Sequence, residues 1–101
     1  MTDRERDELD LVVAGIEIAA GQLAVRITDA GTPTILGADQ QWEPFRPSTN
    51  WAHTGPIIER ERISLDWDDD AGQWYAQVGH STECGPTPLV AAMRAYVAMQ
   101  R

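Results

Sequence analysis

The segment from Trp42 to Arg62, WEPFRPSTNWAHTGPIIERER, gathers the residue types that ligand chemistry would need. Trp42, Phe45 and Trp51 are flat rings on which a base could stack. Ser48, Thr49 and Asn50 are short donors and acceptors of the kind that meet ribose hydroxyls. Arg46 and Arg60 could hold a phosphate bidentately, and Glu59 is the acid placed closest to the rings in sequence. Stacking, hydroxyl recognition and anion capture together are what a nucleotide-derived ligand requires. Two more residues join from the C-terminal end. Thr87, after Gly85 and Pro86, opens a helix whose free N–H groups could face an anion, and Arg94 lies further along that helix. The expected ligand-binding set is Trp42, Phe45, Arg46, Ser48, Thr49, Asn50, Trp51, Glu59, Arg60, Thr87 and Arg94. The three rings would equally serve as core plugs held by Pro44, Pro47 and Pro56, and the sequence leaves both roles open.

Catalytic and metal readings find less support. Asp66, Asp68 and Asp70 have the spacing that begins an EF-hand, but Ala71 replaces the required glycine and Gln77 stands where the bidentate Glu belongs. His80 and Cys84 lie four apart with no second pair to complete a zinc site. Cys84 with His53 or His80 has no spacing that marks a nucleophile and its base. Gly85-Pro86-Thr87 lacks the GK[ST] ending of a phosphate loop. A hydrolase or transferase would have to draw its base from His53, His80 or Glu59. No metal, no cofactor and no catalytic residue are expected.

The elements that must position these residues follow from periodicity and caps. Thr2 or Asp3 caps a first helix, in which Leu9, Val12, Val13, Ile16 and Ala20 define an apolar face that Gly21 ends. Leu23, Val25 and Ile27 alternate with polar residues as a short strand, and after the turn from Asp29 to Pro33 a second strand is expected at Ile35 and Leu36. A long proline and aromatic loop comes next, too rich in proline for one long helix or a central strand. Pro56 suits the first position of a short helix over IIERER. Glu59 and Arg62 are placed to pair along it. Ile63, Leu65 and Trp67, then Trp74, Ala76 and Val78, read as a hairpin with a tryptophan at each end of its loop. Thr87 and Pro88 start the last helix, with Leu89, Met93, Tyr96, Val97 and Gln100 on one face. A second stripe, Thr87, Ala91, Arg94 and Ala98, is small enough to admit another element or a ligand. The expected fold is a single α+β domain over 1–101: a small antiparallel sheet, N- and C-terminal amphipathic helices and the long Pro/aromatic loop.

Composition bounds the function. The 101 residues are 43% hydrophobic and 24% charged, ordinary for a globular chain. The formal net charge is −8 and no lysine occurs, so direct nucleic-acid binding is not expected. The acidic runs are read as solvated surface rather than nucleic-acid mimicry. No apolar run reaches membrane-spanning length, the charged N-terminus is unlike a signal peptide, and one cysteine forms no internal disulfide. A cytoplasmic protein without membrane contact is expected.

The chain resembles the phage NinX-like proteins, small accessory proteins of tailed phages and prophages. FRPSTNWAHTGPIIERERISL at 45–65, WYAQ at 74–77 and GPTPLVAAMRAYV at 85–97 carry the likeness. The resemblance implies phage origin, expression in a bacterial host cytoplasm, dispensability for basic phage growth and no known reaction. By association it points to an anti-defence role, in which a small signal molecule is sequestered or a protein blocked. The leading expectation is a non-enzymatic accessory protein that binds a small nucleotide-like ligand. The alternative is a protein–protein module with aromatic anchors that blocks a host or phage protein. A homo-oligomer would supply the concave space that so small a domain lacks.

Overall fold

Nine elements follow one another in the computed structural model, which describes residues 1–100. Helix α1 spans Asp3–Ala19, strands β1, β2 and β3 span Val25–Ile27, Pro33–Leu36 and Trp42–Pro44, and α2 spans Trp51–Glu61. Strands β4, β5 and β6 span Ser64–Asp68, Gln73–Val78 and Ser81–Gly85, and α3 spans Pro88–Met99. The α+β class stands, but the strands form two antiparallel sheets, β1-β2-β3 and β4-β5-β6, where one was expected. Strands β3 and β6 were not expected; β3 is three residues long and ends in a proline with no N–H for a ladder.

The caps act as their residue types dictate. Thr2 Oγ1 accepts from the Glu5 N–H at 3.2 Å and Thr87 Oγ1 from the Val90 N–H at 3.2 Å. Gly21, just past the end of α1, takes the left-handed conformation at φ 90°. In the hairpin Trp67 pairs with Trp74, their rings edge to face with centroids 5.5 Å apart. The Trp67 indole N–H also donates to Asp69 at 2.7 Å.

Helix α2 corrects the expected short helix. It begins at Trp51, not at Pro56, because Asn50 caps it: the Asn50 side chain accepts from the Ala52 N–H at 2.9 Å. Pro56 therefore sits inside the helix. Its neighbour Gly55 has no Cβ to clash with the proline ring, so the turn before it stays helical.

The core lies where α3 crosses β4-β5-β6 and α1 packs against α3 and β1-β2-β3. Eight of the twelve residues of α3 are buried, including Val90, Met93 and Tyr96. A buried aliphatic side chain of this kind contributes about 1.5–3 kcal/mol relative to exposure. The small stripe on α3 admits β6: a Cβ built on Gly85 would stand 2.8 Å from the Ala91 backbone nitrogen and 3.0 Å from Val90 Cγ1. Gly85→Ala is expected to force helix and strand apart and to cost roughly 1–3 kcal/mol. Urea unfolding reads this directly, and an unchanged midpoint would contradict it.

In α1 the buried stripe is Asp10, Val13, Ala14 and Glu17. The expected face holds at Val13, which is fully buried, and at Leu9 and Ile16, which pack against the core; Val12 is 46% exposed and Ala20 lies at the surface, while two carboxylates point inward.

Candidate functional site

The two inward acids of α1 organise the segment that the sequence singled out. Asp10, 4% exposed, accepts from the Ser48 N–H at 2.8 Å and the Ser48 hydroxyl at 3.0 Å. Glu17, 2% exposed, receives two bonds from Arg60, at 2.8 and 3.2 Å. Arg60 also donates to the Tyr96 hydroxyl at 3.1 Å. The same carboxylate bond pushes the Arg60 guanidinium further up from its already high pKa, and burial pushes the Tyr96 phenol up to about 12. Between these ties the backbone is fixed again. The Arg46 N–H donates to His53 Nδ1 at 2.9 Å, and the Thr54 hydroxyl donates to the Pro47 carbonyl.

Burial pushes the Asp10 carboxyl up from its ordinary pKa; the Ser48 bonds oppose this without cancelling it. The folded protein thus holds this proton more tightly than the unfolded chain does. The ionised group works against the fold at neutral pH, and that penalty fades as pH falls through the folded-state pKa and below 3.8. Asp10→Asn removes the charge and keeps an acceptor, so it is expected to gain stability over wild type at pH 7, with the gain shrinking toward pH 3. Asp10→Ala leaves the two Ser48 donors without an acceptor and is expected to lose about 2 kcal/mol. Denaturant midpoints of both variants across that pH range test the pair.

The eleven expected ligand-binding residues separate into groups. Phe45 is 2% exposed and packs its ring 5.7 Å from that of His53, so it is a core plug. Ser48, Asn50 and Arg60 are engaged by Asp10, the Ala52 N–H and Glu17. Thr87 caps α3, and Arg94 donates to the Cys84 carbonyl at 2.8 Å, remote from the loop. Thr49, Glu59 and Arg46 have exposed side chains. Of the three expected rings, Trp42 and Trp51 face water, at 40% and 56% exposure, and the hairpin's Trp67 is exposed as well, at 45%. Trp51 is the first residue of α2. Trp42 lies on β3, with the Arg26 guanidinium 4.6 Å from its ring centroid, a cation–π contact.

Asp10 and Glu17 as the anchors, and Arg26 as the partner of Trp42, were not expected from sequence. The two acids carried a readable mark: seven residues apart, they share one stripe with Val13 and Ala14.

Beside the pinned segment a cleft of about 400 Å³ runs between α1 and the residues flanking β2 and β3. Leu11, Pro33, Pro44 and Phe45 give it apolar wall, and Arg4, Asp7, Glu8, Asp10 and Arg46 give it charge. Neither Trp42 nor Trp51 lines it. The candidate general bases do not share a site: His53 is buried with its Nδ1 occupied, while His80 is exposed in the turn between β5 and β6 and Glu59 is exposed on α2. Among the described residues no three His, Cys, Asp or Glu side chains converge as a metal set would, and no helix is long and apolar enough to cross a membrane.

The architecture is that of a small α+β domain with a helix at each end of the chain. The family model described as Bacteriophage P22, NinX matches residues 3–100, and the chain belongs to this family. Membership marks it as a phage accessory protein. No curated protein matches the chain.

Proposed function

We propose that this phage accessory protein acts by binding a protein partner, with Trp42 and Trp51 as the anchors. The observation that carries this reading is the exposure of two indoles on backbone that is already fixed. Trp51 sits on a capped helix start, and Trp42 on a strand paired in register with β2 and braced by Arg26. Rigid, exposed tryptophans lose little freedom on binding and dominate the energetics of many interfaces. A net charge of −8 favours a basic partner and speeds its approach.

The nucleotide-sequestering alternative draws less support, since Phe45, Ser48, Asn50 and Arg60 are engaged within the fold. The lining of the adjacent cleft holds three carboxylates against two guanidiniums, a poor match for phosphate. An anti-defence role in the host cytoplasm fits the protein-binding reading as the blocking of a host protein.

The test is capture from host lysate, followed by titration with the purified partner. Trp51→Ala is expected to weaken binding about 30-fold, or 2 kcal/mol, with Trp42→Ala similar, and higher salt should slow association. A partner that binds both variants as tightly as wild type would overturn the proposal. So would calorimetric heat with a cyclic or linear nucleotide that depends on the same two tryptophans.

A further inference from the structure

The cleft between α1 and the β2/β3 flanks has a charge layout that the protein-binding reading does not use. Arg4 is bonded to Glu8 at 3.3 Å, and Asp10 to Ser48. Of the charged groups lining the cleft, Asp7 and Arg46 remain, and among the described residues neither has an ion-pair partner. Asp7 is carried by α1 and Arg46 by the segment after β3, so the opposite charges come from separate walls. The apolar surfaces of Leu11, Pro33 and Pro44 line the same cleft. The buried Asp10 carboxylate lies in the same lining and adds negative potential. Both free groups also act on Asp10, Asp7 raising and Arg46 lowering its affinity for a proton, which places each of them near that carboxylate.

A ligand that satisfies such a site needs a cation, an anion and an apolar body between or beside them. A phosphate ester brings two negative charges and no cation, and would be repelled by a lining with one more carboxylate than guanidinium. A purely apolar molecule would leave both charges unmatched. A volume of about 400 Å³ is at the small end for ligand sites and suits a molecule of a few residues at most.

We propose that this cleft is a binding site for a small zwitterion of the amino-acid or dipeptide type, its carboxylate on Arg46, its ammonium on Asp7 and its apolar side chain against Leu11, Pro33 and Pro44. The site is independent of Trp42 and Trp51, so its failure would leave the protein-binding proposal standing.

Titration of the ¹⁵N-labelled full chain with L-leucine and with the Leu-Leu dipeptide, followed by amide NMR shifts, tests it. Saturable shifts are expected at Leu11, Gly31, Thr32 and Arg46, with dissociation constants near about 1 mM or tighter. N-acetyl-leucine amide, which carries neither charge, is expected to bind at least about tenfold more weakly, a difference of 1.4 kcal/mol. Arg46→Ala and Asp7→Asn alter exposed side chains, and each is expected to weaken the dipeptide about tenfold with an unchanged melting temperature. Absence of shifts at those amides up to about 10 mM of both ligands would overturn the proposal. An equal response to the neutral derivative, or undiminished binding by both variants, would do so too.

Discussion

Phe45→Ala is expected to destabilise the protein by about 3–5 kcal/mol and to lower its melting temperature by more than about 10 °C. The residue is 2% exposed and sits in the core cluster with Val25, Ile57 and Tyr96. Truncation deletes a ring from a packed interior and leaves a cavity that the surrounding backbone cannot close. Pro47 and Ser48 are themselves fully buried, and His53 is tied by the Arg46 N–H. Trp51→Ala, on the same segment, is expected to change stability by no more than about 0.5 kcal/mol, since most of that ring is already in water. Chemical denaturation of the two variants separates a core plug from a surface anchor. A loss below about 1 kcal/mol for Phe45→Ala would mean that the ring contributes little to the core and return it to the ligand-binding set.

Arg60→Ala is expected to cost about 3 kcal/mol, because it leaves the Glu17 carboxylate buried without its cation. The figure is set at the low end of such losses because the Arg60 side chain is 36% exposed, and water will reach part of the gap. Adding Glu17→Gln to Arg60→Ala removes the stranded charge and is expected to recover most of the loss. A double variant no better than Arg60→Ala would show that the charge was not the cause. The same cluster predicts an alkaline limit. Burial, with Glu17 close by, raises Tyr96 to about 12 from its ordinary 10.0. The neutral phenol is the form the fold prefers, so this contribution is complete below pH 10 and is lost as pH rises through about 12. Tyr96→Phe should flatten the unfolding curve over that window.

The last helix and the tryptophan hairpin were legible because their signals are local. Thr87 and Pro88 mark a helix start within two residues, and Trp67 and Trp74 alternate with polar neighbours on either side of one turn. Helix α1 was legible as a helix but only partly in its rotation. Hydrophobicity finds Val13, Leu9 and Ile16, which pack inward, but it also selects the exposed Val12 and passes over the buried Asp10 and Glu17. Those acids go inward because their partners exist: Ser48 lies 38 residues away and Arg60 lies 43 away from them. Neither separation leaves a trace in a local pattern. The start of α2 was lost for a related reason. Pro56 looks like a first-turn proline until Asn50 is seen to cap the turn before it. At the candidate site, residue type indicated which rings were available but not which were covered. Phe45 and Trp51 carry equal aromatic promise in sequence, and only packing tells them apart.

The long separations of these two ties set an order of events on the ribosome. The N-terminal helix is made first, yet its inward carboxylates have nothing to hold until residues 48 and 60 have been added. At roughly 10 residues per second that delay is about 4 s for Glu17. Throughout it the nascent helix carries both acids unmatched. Its buried stripe is completed late, when the arginine and the serine join what Val13 and Ala14 already bury.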